Sequence, residues 1–285
     1  MAAHYFQSSM KRYPITLTIA GSDSCGGAGI QADIKTMSAL GCYAASAITA
    51  ITAQNTLCVE SVEAVSSTMV AAQISAVMDD LHPQAIKIGM VNDAATIHTI
   101  ASTLARYSFA HLVVDPVMVA TSGSRLMQDD ALDTFRHELM PMATLLTPNL
   151  PEAETLAAMR IANAADCDEA ARRIAAGSGA CVLVKGGHAN GPEKQDRLYA
   201  PDGAPLATFS SPTVATRNTH GTGCTLSSAI VAMLAHSLPM TEAIAKAKQY
   251  VAKAIAAGAD VSVGQGHGPV NHFFCPLRLT AMETA

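Results

Sequence analysis

Short apolar runs alternate along the chain with amphipathic stretches of helical period. The runs Ile15–Ala20, Ser46–Ala53, Ala85–Ile88, Leu112–Asp115, Leu145–Thr147 and Cys181–Lys185 have the length and content of strands. Between and after them, Gln31–Leu40, Met69–Leu81, Ala94–Arg106, Ala131–Leu139, Pro151–Met159, Glu169–Ala176, Thr225–Ala235 and Thr241–Ala257 carry apolar residues at helical spacing. Val113-Val114 and Val182-Leu183-Val184 are apolar without alternation, the mark of strands covered on both faces. This rhythm predicts an α/β fold, a mostly parallel sheet with helices on both sides. Arg197–Phe209 alternates around a Pro-Asp-Gly turn at Pro201–Gly203 and reads as a hairpin. No repeat or linker interrupts the pattern, so residues 10–285 are expected to form one domain. Met1–Ser9 reads as a leader outside it, with Tyr5-Phe6-Gln7-Ser8 resembling part of a protease-cleavage tag.

Composition narrows the picture. Of the 285 residues 49 % are hydrophobic and only 14 % charged, which supplies one large core and excludes disorder. A net charge of −5 offers no basic field for nucleic acid. No apolar run approaches the roughly 20 residues that span a bilayer, so no membrane association is expected. The seven cysteines are scattered, without a C-x-x-C pair, which argues against a zinc site or a disulfide framework and for a reducing, cytoplasmic setting.

In a parallel sheet, ligands collect beyond the carboxyl ends of the strands. The polar and Gly-rich segments of this chain follow its strands: Gly21–Gly29, Gln54-Asn55-Thr56, Gly89-Met90, Pro116–Gly123, Asn149–Glu152 and Gly186-Gly187-His188. Gly27-Ala28-Gly29-Ile30-Gln31-Ala32 fits a relaxed dinucleotide pattern, but the acidic residue that would hold a ribose is missing near Ile48–Ala53. No Walker-type G-x-x-x-x-G-K-[ST] occurs. Asp33 stands out one turn into an apolar helix, where it could face the ligand edge. Asn149 and Glu152 fit an N-terminal capping box; Glu152 also suits a magnesium ion held through water. Lys185 continues a buried strand and needs a partner or a phosphate. The turn His220-Gly221-Thr222-Gly223-Cys224 leads into a helix expected to begin near Cys224. Its N–H groups and the helix dipole make an anion site, and a cysteine there is expected to have a lowered pKa and to serve as a base.

Together these segments resemble the ribokinase-like superfamily, and within it the vitamin kinases that phosphorylate hydroxymethylpyrimidine in thiamine biosynthesis. The likeness runs from about Ile15 to Phe273. It rests on Thr18–Asp23, Gly26–Asp33, Ala53–Thr56, Lys87–Met90, Asp115–Met118, Thr147–Glu152, Lys185–His188 and His220–Cys224, in that order. The resemblance implies ATP and Mg²⁺ as cosubstrate and metal, a small pyrimidine as substrate, and a homodimer. It implies that Gln54, Asp33, Gly21, Ala28, Met90 and Val117 bind the pyrimidine. Lys185, Thr222 and Asn149 would meet ATP, and Asp115 and Glu152 the metal. Gly221, Thr222, Gly223 and Cys224 would form the anion hole, with Cys224 as base where much of the superfamily has Asp. Pyridoxal kinases, whose substrate also carries a hydroxymethyl group, are the alternative; a non-catalytic pyrimidine or nucleotide binder is a third. Val119–Gly123 is expected to close over the substrate.

Overall fold

A computed structural model describes residues 11–119, 126–128, 130–186, 191–279 and 281–283. The Met1–Ser9 leader and most of the expected closing loop, residues 120–123, lie outside the described residues, as do Gly187 and His188.

Nine strands form one sheet: β2 (Ile15–Asp23), β3 (Tyr43–Gln54), β4 (Val59–Ala64), β5 (Ala85–Ile88), β6 (His111–Val114), β7 (Leu145–Leu146), β8 (Cys181–Lys185), β9 (Glu193–Tyr199) and β10 (Pro205–Pro212), in spatial order β10-β9-β8-β7-β6-β5-β2-β3-β4. The six strands from β3 to β8 in that order are parallel; β4 at one edge and the β9–β10 hairpin at the other are antiparallel. Two short strands, β1 (Lys11–Arg12) and β11 (Met282–Glu283), pair outside it. The helices are α1 (Gly29–Ala39), α2 (Ser67–Asp80), α3 (Ala94–Leu104), α4 (Ala131–Thr134), α5 (Leu150–Ala157), α6 (Ala164–Ser178), α7 (Thr222–Ala235) and α8 (Met240–Ala257). The predicted helix over 131–139 begins as α4 and continues as a π-turn at Phe135–Leu139.

The alternation along each strand divides the core. Leu17, Ile19, Ile86, Ile88, Leu112, Val114 and Leu146 face one layer, with Ile74 of α2, Ile100 of α3, Ala153 of α5 and Ile174 of α6. Val113, Leu145 and Leu183 face the other, with Met37 of α1, Ile230 of α7 and Ile244 of α8. The two strand neighbours of β2 are the point where the order of strands reverses, the place where such sheets open a crevice.

One position in this second layer is ionic. Lys87 on β5 is fully buried and its Nζ lies 2.7 Å from Asp33 Oδ2 on α1. Thr18 on β2 donates to the same oxygen at 2.6 Å, and Ser228 on α7 donates to Oδ1 at 2.6 Å. Asp33 is therefore not in a cavity wall, contrary to the expectation that it binds substrate. Its carboxylate is saturated by an internal cation and two hydroxyls. Burial favours neutral Lys87, but the Asp33 carboxylate outweighs it and raises the pKa above the usual lysine value.

Removing one partner of such a pair strands a charge in the core. Lys87→Met is expected to cost about 3–5 kcal/mol of stability, read as a lower urea midpoint. The double variant Lys87→Met with Asp33→Leu is expected to be more stable than Lys87→Met alone.

Candidate active site

The C-terminal ends of the parallel strands open onto a cavity of about 710 Å³. It follows the sheet edge from β3 to β10. Gly21 and Asp23 of β2, Thr52 and Gln54 of β3, Met90 after β5 and Val117 after β6 line it toward one end. Asn149, Glu152 and Lys185 line its middle; Ser211 to Val214 at the end of β10, and Lys248, Val251 and Ile255 of α8, line the other end. Thr219 to Cys224 and Ala28 close the same space from the α1/α7 side.

Two glycine turns meet there. Gly221 is the N-cap of α7 with φ +78, a left-handed conformation that favours glycine, and a Cβ on it would run into the Gly27 carbonyl. A Cβ on Gly27 would strike the ring of His220. Backbone thus packs on backbone, and the first-turn N–H groups of α7, those of Gly223 and Cys224, have no acceptor within the helix. They add to the positive end of its dipole. The helix starts at Thr222, two residues before the predicted start, because Gly221 supplies the cap.

Charges organise the middle. Lys185 Nζ sits 2.7 Å from Asp115 Oδ1 and 3.9 Å from Glu152 Oε2. Asp115 also accepts from Thr147 at 2.9 Å and from Ser227 at 3.2 Å. Burial alone would raise the Asp115 pKa, but Lys185, and then Lys87, hold it below the ordinary carboxylate value. Glu152 goes the other way, pushed up to about 7 by burial with Asp115 beside it, against the pull of Lys185. The capping box is present as well: Asn149 Oδ1 accepts the Glu152 N–H at 2.9 Å and Glu152 Oε2 accepts the Asn149 N–H at 2.8 Å. Capping and cavity lining are thus compatible in these two residues.

The chain is matched over residues 23–271 by the model of a family described as phosphomethylpyrimidine kinase. It belongs to that family. It is 51 % identical to hydroxymethylpyrimidine/phosphomethylpyrimidine kinase of Rhizobium meliloti (strain 1021), over 91 % of this chain and 97 % of that protein. Among solved structures, phosphomethylpyrimidine kinase from Clostridium difficile 630 is 43 % identical with a TM-score of 0.74, covering 85 % of this chain and 99 % of that one. An ADP complex of Bacillus subtilis pyridoxal kinase is 34 % identical with a TM-score of 0.83, covering 92 % and 98 %. The ribokinase-like α/β fold expected from the sequence is the fold of this phosphomethylpyrimidine kinase family member.

Of the residues singled out in the sequence, Gly21, Ala28, Gln54, Met90, Asp115, Val117, Asn149, Glu152, Lys185 and Gly221 to Cys224 share the one cavity. Asp33 does not. A second correction concerns Cys224. Burial pushes its thiol up to about 11, with Lys87 pulling it down and Asp33 and Asp115 pushing it further up. The helix N-terminus alone predicts a lowered value; the two carboxylates and the loss of water outweigh it. Asp23, His220, Thr52, Asp196 and Lys248 carry polar roles at the cavity that the motif reading did not assign. Asp196 takes Lys248 Nζ at 2.6 Å and the Gly186 N–H at 3.0 Å, fixing the backbone just beyond Lys185. Asp196 is the buried acid of β9, whose other acid, Glu193, is exposed at the start of the strand.

The raised thiol has a direct readout. At pH 8 a thiol of pKa about 11 is roughly a thousandth ionised, so alkylation of Cys224 by iodoacetamide, followed peptide by peptide, is expected to lag far behind that of exposed Cys58 and Cys275 and to accelerate about tenfold per pH unit up to pH 10.

Proposed function

We infer that this chain transfers the γ-phosphoryl group of ATP to the hydroxymethyl group of 4-amino-5-hydroxymethyl-2-methylpyrimidine, and then to the resulting monophosphate, in thiamine biosynthesis. Family membership supports the reaction. The observation that carries it to this site is that the glycine turn at the start of α7 faces Lys185 and Gln54 across one cavity.

The pyrimidine lies at the β2–β3 end, on Gln54, with Gly21, Ala28, Met90 and Val117 around the ring. Gln54 suits a ring edge that both donates and accepts. ATP enters from the other end. Val251 and Ile255 offer apolar contact to the base, while Lys185, Thr222 and Asn149 take the phosphates. The substrate hydroxyl oxygen attacks the γ-phosphorus, the bond to the bridging oxygen of ADP breaks, and the hydroxyl proton goes to Cys224 Sγ. The N–H groups of Gly221 to Cys224 receive the charge that spreads over the moving phosphoryl oxygens. In the second step a phosphate oxygen of the monophosphate is the nucleophile toward a second ATP.

Mg²⁺ fits the wall that Asp115 and Glu152 form. Among the described residues no group of three or more His, Cys, Asp or Glu converges, so those residues build no cage of their own. Two carboxylates beside the nucleotide phosphates are what a strongly hydrated ion uses. Held there, Mg²⁺ would neutralise phosphate charge.

Coupled ADP release with the pyrimidine and with pyridoxal side by side tests the reading. Turnover of the pyrimidine is expected; brisk turnover of pyridoxal alone would overturn it and favour the alternative. Because only ionised Cys224 accepts the proton, kcat is expected to rise with pH between 7 and 9, and Cys224→Ala to lose that slope together with about 100-fold in kcat. Lys185→Ala is expected to raise the KM for ATP about tenfold or more while leaving pyrimidine affinity near the wild-type value; the reverse pattern would remove Lys185 from the phosphate site.

A further inference from the structure

Cys224 stands at a point where charge is otherwise balanced. Its side chain lines the cavity, and the N–H of Gly29, at the start of α1, donates to its sulfur. The charged groups whose fields reach that sulfur are Asp33 of α1, Lys87 of β5, Asp115 after β6 and Lys185 of β8. They form two contacting pairs. Lys87 Nζ is 2.7 Å from Asp33 Oδ2, and Lys185 Nζ is 2.7 Å from Asp115 Oδ1. Glu152 Oε2 adds a further carboxyl oxygen 3.9 Å from Lys185. Neither lysine is left over to balance a charge brought in from outside. The charge at the start of α7 is therefore set by the group at position 224 itself. A thiol of ordinary pKa is mostly uncharged near neutral pH, and burial holds Cys224 further in that form.

The two transfers make opposite demands on this position. In the first the acceptor is an alcohol. Its oxygen bonds to the γ-phosphorus, the bond from that phosphorus to the bridging oxygen of ADP breaks, and the hydroxyl proton passes to Sγ. In the second the acceptor is a phosphate monoester, whose second ionisation falls at about pH 6. Above neutral pH its attacking oxygen carries no proton, so the same bonds form and break without a base. What the second transfer requires is room for a dianion against residue 224. An uncharged thiol allows it; a negative side chain repels it.

We propose that Cys224 divides the two transfers: as a thiolate it is the base of the first, and as an uncharged thiol it admits the phosphate acceptor of the second. The inference rests on the reading that this chain phosphorylates both the alcohol and its monophosphate. Position 224 then decides whether one transfer or two can run at this turn. A carboxylate there supplies a base for the alcohol and repels the monophosphate. An alanine admits the monophosphate and supplies no base.

The test measures each transfer separately in the full-length protein, with MgATP and either hydroxymethylpyrimidine or its monophosphate as the starting acceptor, the products being separated by chromatography. Cys224→Ala is expected to raise the ratio of second to first kcat about 100-fold, the factor that loss of a base takes from the first alone. Cys224→Asp is expected to raise the KM for the monophosphate at least about 30-fold, with the KM values for the alcohol and for ATP near wild type. Cys224→Ser, uncharged and of similar size, is expected to keep the wild-type KM for the monophosphate. In wild type the first kcat is expected to rise between pH 7.5 and 9 and the second to stay level. Glu152, pushed up to about 7, lies on the path of both transfers, so its ionisation cancels in their ratio. That ratio needs no substitution and tests the inference even where Cys224→Asp folds poorly. An equal fall of both transfers in Cys224→Ala, the same pH slope for both in wild type, or a wild-type KM for the monophosphate in Cys224→Asp would overturn it. A wild type that turns over neither acceptor would instead overturn the reading beneath it.

Discussion

The arrangement of this site depends on one buried ion pair, Lys87 with Asp33. An ammonium in the middle of a sheet is tolerated only with an anion at hand. Here the anion comes from α1, with Thr18 of β2 and Ser228 of α7 completing its shell. Four elements therefore share one carboxylate. Apolar packing alone would let α1 and α7 slide over the sheet at small cost, whereas directional bonds to two oxygens do not. Their starts are brought together as a result, and the contact of Gly27 with Gly221 leaves no room for a side chain between them. The glycine turn at the start of α7 is the visible end of that constraint.

The charges at the cavity follow a related logic. Lys185 stands between two carboxylates, Asp115 and Glu152. A single lysine is thus largely neutralised before any nucleotide arrives, in a protein whose net charge is already −5. Such a wall does not favour a bare polyphosphate. Under the function proposed above, the polyphosphate would bring its own cation, and Lys185 would turn part of its charge to it. The high value for Glu152 reflects the same crowding, since two buried carboxylates share one ammonium.

Much of this was legible in the chain, and the exceptions have physical causes. β5 and β8 have the predicted bounds because every residue between their ends is covered or nearly so, which leaves a continuous apolar signature. β4 was not foreseen: Val59–Ala64 is an exposed edge strand whose acids, Glu60 and Glu63, do not keep the period of a strand, and nothing in its pattern separates it from a loop. Asp33 was misassigned because a lone acid on an apolar helix looks the same whether it faces a ligand or an internal cation. Its partner lies 54 positions away, on a strand whose lysine read as one residue of a motif. Cys224 was misjudged for a similar reason. The helix dipole is a local feature and can be read from the chain, whereas Asp33, Asp115 and the burial that raise the thiol come from the tertiary structure.

The comparisons divide along the same line as the cavity. The chain superposes on Bacillus subtilis pyridoxal kinase with a higher TM-score than on phosphomethylpyrimidine kinase from Clostridium difficile 630, although it is more identical in sequence to the latter. Backbone agreement across the two enzyme names is what phosphoryl transfer requires, because that reaction asks for positioned N–H groups and cations and little else. Ring recognition asks for side-chain hydrogen-bond order, which a backbone superposition does not record. At the β2–β3 end of the cavity such side-chain contacts are present: His220 Nε2 meets the Asp23 carboxylate, and the Thr52 hydroxyl meets the Ser22 carbonyl.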